Sequence, residues 1–421
     1  MKGTNIFKQK SAKTILKNFF DSRIKNFYSH KIPKGEDFKY IVHDPFLVLK
    51  DETIFESFFL VGSNWIEKNE KPIALMIGFN NWKFGFVADY LSEYRTVFAK
   101  RKASTFSIKN FFTRVKNTKY KPSIIVIWGY NEPRWFAFFS GFFDCPVYRM
   151  EDGFLRSSLL GANHVTPYSL ILDEQGIYFD STRKSDLEDI LNYYDFASDL
   201  SIIDQSKKAL ETLLKLNLSK YNSPYLGYKS DLKTKTKKRI AILGQVDKDA
   251  SMRYGNPDNW RFLDIIRLAR YENPDAEILY RPHPEVYKGF QKSKFKYKTI
   301  KHLADVVPPT QPLINFLDTV DHVYVVNSLS GLDALLRGKK VTVLGTAFYS
   351  GWGLTDDRTP HKRRFRKLSL EELFAGIYLK YPLYLADLND SYVGFQSSCL
   401  AIKADQYIET YNNDNDNDNN N

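Results

Sequence analysis

Apolar residues in this chain gather into short unbroken runs, and the stretches between them carry a helical period. In the first half the runs are Ile73–Phe79 (IALMIGF) and Ser123–Gly129 (SIIVIWG), followed by Val147–Met150 (VYRM). In the second half they are Arg239–Gly244 (RIAILG), Ala276–Tyr280 (AEILY), His322–Asn327 (HVYVVN) and Lys339–Gly345 (KKVTVLG). Between them lie helical patterns at 86–94, 185–194, 259–273, 312–320 and 330–338. Runs without hydrophobic–polar alternation predict strands buried on both faces, and alternation of such strands with helices predicts parallel sheets covered on both sides. Ser185 is placed to N-cap the 185–194 helix, with Glu188 in the capping-box position. The segment Tyr168–Asp180 (YSLILDEQGIYFD) predicts a hairpin about Glu174-Gln175-Gly176. The lysine-rich stretch Ser219–Lys238 reads as the linker between two halves.

Hydrophobic residues make up 43% of the 421 residues, enough to give each half its own core. The two cysteines, Cys145 and Cys399, lack the spacing of a disulfide framework or a structural zinc site. The N-terminus has no apolar signal-peptide core, and the longest apolar run, Trp135–Phe143 (WFAFFSGFF), is about half of what a bilayer span needs. A cytoplasmic protein is therefore expected. The net charge of +12 is concentrated in the first 35 residues and in residues 100–121. Leu16, Phe20, Ile24 and Phe27 in the first stretch, and Ile108, Phe111, Phe112 and Val115 in the second, form apolar stripes beside the lysines. Such helices either lie on an anionic membrane surface, making the protein peripheral to it, or dock on the protein's own core. No nucleic-acid module accompanies the charge, so nucleic acid is not an expected partner.

The polar motifs sit where strands end. Gly244–Ser251 (GQVDKDAS) follows the first strand of the second half and carries Gln245, Asp247, Asp249 and Ser251. Arg281–Glu285 (RPHPE) holds His283 between two prolines that constrain its backbone. Asn327–Gly331 (NSLSG) brings Asn327, Ser328, Ser330 and Gly331 to a helix N-terminus suited to a phosphate. Gly345–Asp357 contains Tyr349 and Trp352. In the first half, Tyr148–Ser158 (YRMEDGFLRSS) packs Arg149, Glu151, Asp152 and Arg156 around Gly153. Read alone, each motif is an ordinary turn or cap; four at strand ends in one half point to a ligand site. The Asp247-Lys248-Asp249 triplet matches a metal-holding pattern that is common by chance, and no metal is expected.

Taken together, the segments RMEDGFLRS, YSLILDEQGIYFD, GQVDKDAS, YRPHPEV, NSLSGLDALLRGKKVTVLG and FYSGWGLTDDR resemble the KpsC-type capsule-synthesis glycosyltransferases, over roughly Ile73 to Leu400. That family resembles two such modules in tandem, whereas this chain has length for one. The resemblance implies an α/β, glycosyltransferase-B-like fold: two Rossmann-like lobes facing across a cleft, with C-terminal helices crossing back to the N-lobe. The implied division is a basic extension at 1–70, an acceptor-side lobe at 71–235 and a CMP-sugar lobe at 236–385. A segment at 386–411 would return to the N-lobe, and the Asn/Asp tail at 412–421 would be disordered. The implied activity is transfer of Kdo (3-deoxy-D-manno-octulosonic acid) from CMP-β-Kdo to a glycan or glycolipid acceptor, building a capsule or O-antigen alongside its assembly proteins. A β-linked product from a β-configured donor means net retention, most simply through a covalent Kdo-Asp intermediate. By the same resemblance Asp249 is the nucleophile, with Asp247 the weaker choice, Glu151 or else Asp152 the base, and His283 assists CMP departure. Gln245, Ser251, Arg281, Asn327, Ser328, Ser330, Gly331, Tyr349 and Trp352 would hold the donor, and Arg149 and Arg156 either bind the Kdo carboxylate or pair with the acids. Two alternatives stand beside this: an inverting transferase for another CMP-linked ulosonic acid such as sialic acid, and a non-catalytic polysaccharide-binding or export partner.

Overall fold

A computed structural model describes residues 58–61, 70–158, 164–222, 232, 234–289 and 297–418. The basic stripe at Leu16–Phe27 and half of the Ser219–Lys238 stretch lie outside these. The chain divides into two compact units, Met1–Ser123 with Pro133–Asp144, and Ile124–Glu132 with Cys145–Asn421. The division does not follow the lysine-rich stretch.

In the first unit, β2 (Ile73–Ile77) runs parallel to β3 (Arg95–Ala99), and β1 (Phe58–Val61) pairs antiparallel with β3 on its other side. Residues 58–61 of the expected extension are thus a sheet edge. The helix Thr105–Val115 is N-capped by Ser104, whose Oγ accepts from Ser107 N at 3.1 Å. Its stripe of Ile108, Phe111, Phe112 and Val115 is wholly buried, with Phe111 on Phe58 and Phe112 on Phe143, each pair at 4.6 Å between ring centroids. This stripe docks on the protein's own core.

The second unit carries two sheets. One orders β4 (Pro122–Trp128), β5 (Val147–Asp152), β6 (Ser169–Asp173) and β13 (Pro382–Tyr384), with β4 and β5 parallel and the rest antiparallel. The other is wholly parallel and contains β7 (Arg239–Leu243), β8 (Glu277–Arg281), β9 (Asp305–Val306), β10 (His322–Val325), β11 (Lys340–Val343) and β12 (Asp356–Asp357). Its spatial order, β12-β11-β10-β7-β8-β9, is that of a Rossmann sheet. All five residues of β7 are buried, Ile240–Leu243 as their apolar run requires and Arg239 through its pair with Glu277 at 2.6 Å. The helix Phe262–Glu272 covers one face with Phe262, Ile265, Ile266 and Ala269 against Ile240, Ile242 and Ile278. Each fully buried large side chain there contributes roughly 1.5–3 kcal/mol.

The predicted hairpin does not form. β6 pairs with β5 and β13, and the chain after it turns without a second strand. Both edges of β6 are thereby taken, which leaves none for a returning strand. The chain beyond it is held by Asp173, whose Oδ1 accepts from Gln175 N (3.0 Å) and Gly176 N (2.7 Å) and whose Oδ2 accepts from Asp186 N (3.0 Å) and Tyr381 Oη (2.7 Å). The backbone donors among these belong to the turn and to the start of the next helix, so the carboxylate holds the chain beyond β6 in a course of its own. In the helix Asp186–Tyr193, Ser185 accepts from Glu188 N at 3.2 Å as expected. Glu188 itself does not complete a capping box; its buried carboxylate pairs with Arg363 Nε (2.6 Å) and Arg364 Nε (3.1 Å).

The C-terminal segment does cross back. β13 extends the first sheet of this unit, and the helix Ser391–Asp418 follows it with Phe395, Cys399 and Ile402 fully buried. Tyr168 Oη donates to Asp405 at 2.8 Å, and Gln406 Nε2 to Asn222 O at 2.8 Å. Helix propagation from this packed start reaches Asp418, so the tail expected to be disordered from 412 is helical to that residue.

One buried charge makes a pH prediction. Asp333, in the helix Leu329–Leu336, is 4% exposed and its nearest cation, Arg337, stands 3.8 Å away. Burial pushes its carboxyl up to about 6, only partly opposed by Arg337. A folded value above the unfolded one means that stability falls as pH rises from about 4 to about 6, by roughly 3 kcal/mol for a two-unit shift. Asp333→Asn should therefore leave the melting midpoint near wild type at about pH 4.5 and raise it by several degrees at about pH 7.5. Arg337 keeps its bonds to Asp333 O (3.0 Å) and Leu218 O (2.9 Å) in that variant. Melts of equal midpoint at both pH values would refute the assignment.

Candidate active site

The strand order reverses between β7 and β10, and the loops leaving these two strands are tied to each other. Gln245 Nε2 donates to Asn327 Oδ1 at 2.8 Å, Asn327 N returns a bond to Gln245 Oε1 at 3.2 Å, and Asn327 Nδ2 reaches Ser251 O at 2.6 Å. Gly255 permits this closeness, since a Cβ there would stand 2.2 Å from Asn327 Nδ2. In open α/β sheets ligands bind in the crevice at such a reversal.

Asp249 is exposed and N-caps the helix Ala250–Tyr254, its Oδ1 accepting from Ser251 N (2.8 Å) and Ser251 Oγ (2.6 Å). Oδ2 has no bond to the described residues. His283 caps the helix Pro284–Tyr287 through Nδ1, which accepts from Glu285 N at 3.3 Å. The ring proton is thereby assigned to Nε2, a donor available to an anion. Burial holds this imidazole below its ordinary pKa, with the charges of Glu285 and Asp249 acting against the shift. Ser328 caps the helix Leu329–Leu336, its Oγ accepting from Ser330 N at 3.2 Å.

Glu151 and Asp152 end β5, on the other sheet of the unit. Glu151 Oε1 accepts from Asp152 N at 3.0 Å, and Asp152 Oδ2 accepts from Arg156 Nε at 2.8 Å. Gly153 serves a close approach: a Cβ there would lie 2.2 Å from Ser169 Oγ across β5 and β6. Phe154 and Leu155, fully buried, anchor the turn, Phe154 stacking on Phe348 at 4.8 Å.

Tyr178 joins the two sheets. Its ring stands edge-on to both members of the stacked pair, Phe154 (4.8 Å) and Phe348 (5.0 Å). Burial pushes its phenol well above the usual range, and the charges of Glu151, Asp249 and Asp152 push the same way. One hydroxyl thus senses carboxylates from the end of β5 and from the loop after β7. Lys220 Nζ stands 3.4 Å from both Tyr178 Oη and Asp152 O, the cation facing this acidic group. Neither residue lies in a polar loop motif, so sequence reasoning missed both; the ring following Gly176 was the only available sign. Among the described residues no three His, Cys, Asp or Glu side chains gather in a metal-holding arrangement.

Several expected donor contacts are engaged elsewhere. Arg149 forms a two-bond pair with Glu132 (3.0 and 3.1 Å), donates to Gly129 O (2.7 Å) and stacks on Tyr130 at 4.2 Å. Arg156 is fully buried, bound to Asp152, Ser157 Oγ (2.7 Å) and Val165 O (3.1 Å). The pairing alternative thus describes Arg156, while Arg149 pairs with an acid outside the motif. Tyr349 and Trp352, given to the donor by the resemblance, are placed in the core with no exposed surface. Tyr349 Oη supports the phosphate-suited helix start through Ser328 O at 2.6 Å, and Trp352 Nε1 donates to Phe348 O at 3.0 Å. Gly331 accommodates Tyr349, whose Oη would be 2.0 Å from a Cβ. Arg281 is buried, donating to Gln311 O at 2.6 Å over the Phe316 ring.

Residues 123–392, carrying both sheets of the second unit, match the family described as "Capsule polysaccharide biosynthesis protein". The chain belongs to this family. It is 39% identical over 331 residues to the lipopolysaccharide-processing protein LpsZ of Rhizobium meliloti, an alignment covering 78% of this chain and 74% of LpsZ. It is 40% identical over 240 residues to the capsule polysaccharide modification protein LipA of Neisseria meningitidis serogroup B, covering 57% of this chain but 34% of LipA. Among solved structures, the Thermosulfurimonas dismutans KpsC β-Kdo 2,4 transferase aligns with a TM-score of 0.63 at 28% identity, covering 79% of this chain and 98% of that one. The β-Kdo 2,7 transferase of the same organism aligns at 0.56 and 30% identity, covering 74% and 91%. For this member of the capsule family, the mixed α/β architecture and its Rossmann-like sheet are shared with those two structures.

Proposed function

We propose that the chain transfers Kdo from CMP-β-Kdo to a surface glycan or its glycolipid linker with net retention, Asp249 attacking the anomeric carbon. The observation that supports the reading is that Tyr178, packed on Phe154 of the turn after β5 and on Phe348 after β11, is acted on by the charges of acids from both sides, Glu151 and Asp152 from the end of β5 and Asp249 from the loop after β7. The likeness to two β-Kdo transferase structures supplies the donor class. In this reading the Nε2–H of His283 and the helix start at Ser328–Ser330 hold the CMP phosphate, the neutral imidazole donating without needing a charge of its own. The Asp249 carboxylate displaces CMP, forming a C–O bond to Kdo as the C–O bond to the phosphate breaks. Glu151 then takes the proton of the acceptor hydroxyl as that oxygen displaces Asp249 from the opposite face. Two inversions give a β-linked product.

The test is to incubate the protein with CMP-Kdo and a synthetic glycoside ending in β-Kdo, and to read the new anomeric centre by NMR. CMP release with a β-linked product is expected. An α-linked product would overturn the double displacement; silence with CMP-Kdo alongside turnover of another CMP-ulosonic acid would overturn the donor.

A further inference from the structure

The segment Trp135–Phe143 is too short to span a bilayer, and the site described above makes no use of it. Its rings are divided between core and solvent. Phe136 and Phe143 stack on each other at 5.2 Å and are buried. Phe138 is 81% exposed, Trp135 60% and Phe142 44%, and Phe106 from the neighbouring helix Thr105–Val115 adds a fourth ring at 64%. Phe139 draws the group together, 6.1 Å from Phe106 and 5.2 Å from Phe138. Exposed aromatic residues this closely grouped on a soluble surface mark an interaction site.

The surroundings are cationic. Lys109 Nζ lies 5.1 Å from both the Phe139 and Phe142 rings, and the Arg134 guanidinium 5.1 Å from Trp135. Residues 100–123 and 133–143 of this unit contain nine Lys or Arg and no Asp or Glu. The next acid, Asp144, is already paired with Lys121 at 3.1 Å. The backbone also holds the face open: Trp135 sits in the left-handed region at φ 70°, unusual for a bulky residue. Thr105 Oγ1 donates to Arg134 O at 2.6 Å and Phe136 N to Pro133 O at 3.0 Å, fixing this conformation from both sides.

We propose that Phe106, Trp135, Phe138 and Phe142, with Lys109 and Arg134, dock this unit on an anionic phospholipid bilayer. Aromatic rings that enter the headgroup layer inside a basic rim are the chemistry of an interfacial anchor, since the rings bury apolar area while the cations meet lipid phosphates. A single-stranded nucleic acid needs open, parallel ring faces on which to stack. Here Phe138 meets Phe139 at 85° and Phe142 meets Phe143 at 84°, so neighbouring rings stand edge to face. Docking at this face does not depend on the donor or mechanism assigned above, and would place the protein beside lipid-linked acceptors.

The experiment is flotation of the full chain with extruded vesicles of phosphatidylglycerol and phosphatidylethanolamine, with pure phosphatidylcholine vesicles as the comparison. The wild type should float with the anionic vesicles at least tenfold more than with phosphatidylcholine, and lose most of that binding in high salt. Phe138→Ser/Phe142→Ser should cut the bound fraction at least tenfold with an unchanged melting midpoint, because both side chains are exposed. Lys109→Glu/Arg134→Glu should do the same by charge alone. Equal flotation of wild type and both variants would overturn the proposal and assign binding elsewhere in the chain. So would a wild-type dimer that the Phe variant makes monomeric without any vesicle binding, or a patch-dependent affinity for an oligonucleotide in its place.

Discussion

Asp249→Asn should lower turnover with CMP-Kdo by at least about a thousandfold, equivalent to roughly 4 kcal/mol of lost transition-state stabilisation. Asparagine is as good an N-cap as aspartate, so the bond from Ser251 N to the side-chain oxygen survives and the helix Ala250–Tyr254 keeps its start. What the variant loses is the nucleophile. Intact-protein mass spectrometry separates that from a loss of binding. Wild type given CMP-Kdo without acceptor should release CMP and gain the mass of one Kdo residue, and the Asn variant should do neither. Glu151→Gln should still form the adduct but pass it slowly to the acceptor, because its proposed task begins only when the acceptor hydroxyl arrives. Wild-type turnover in Asp249→Asn would refute the nucleophile, whatever the product anomer.

The second large effect is on stability. Arg364→Ala should destabilise the protein by about 3–5 kcal/mol, lowering the melting midpoint by on the order of ten degrees. Arg364 is almost wholly buried, donates to Glu188 at 3.1 Å and Ser350 O at 2.6 Å, also bonds Ala347 O, and faces the Trp352 ring at 5.6 Å. Truncation leaves two carbonyls without this donor and Glu188 relying on the more exposed Arg363. The loop so released, 347–352, carries Tyr349, which holds Ser328 at the proposed phosphate site, so the KM for the donor should rise as well. Glu188→Gln/Arg364→Gln should cost less than the two single changes added together, since a neutral pair leaves no uncompensated buried charge. Additive melting shifts would show that the two side chains do not act as a pair.

The contrast between Arg149 and Arg156 shows where sequence reasoning stops. Both flank Glu151 and Asp152 in one short motif, and the spacing allows either to pair with either acid. Arg156 took Asp152, four residues away; Arg149 took Glu132, seventeen residues away. Glu188 shows the same: its spacing from Ser185 suits a capping box, yet two arginines about 175 residues further on claim its carboxylate. The aromatic residues divide in the same manner. Tyr349 and Trp352 sit in a polar, glycine-bearing loop that looks ligand-facing, but the chain folds them inward; Tyr178 follows a turn that looks structural, yet its phenol is acted on by the charges of three acids.

By itself the sequence determined the features that depend on neighbours along the chain. Unbroken apolar runs set the buried parallel strands, Ser185 and the Asn327–Gly331 motif set helix starts, and strand-end motifs located the loops that a Rossmann sheet brings together. These are short-range matters of period, caps and backbone constraint. Only the tertiary structure decided which charge meets which, that Asp173 would end a strand where a hairpin was expected, and that Trp135 and Phe138 would face out while Phe136 and Phe143 face in. A side chain's partner is set by distances between segments remote in sequence, and burial by which faces remain once the sheets are covered.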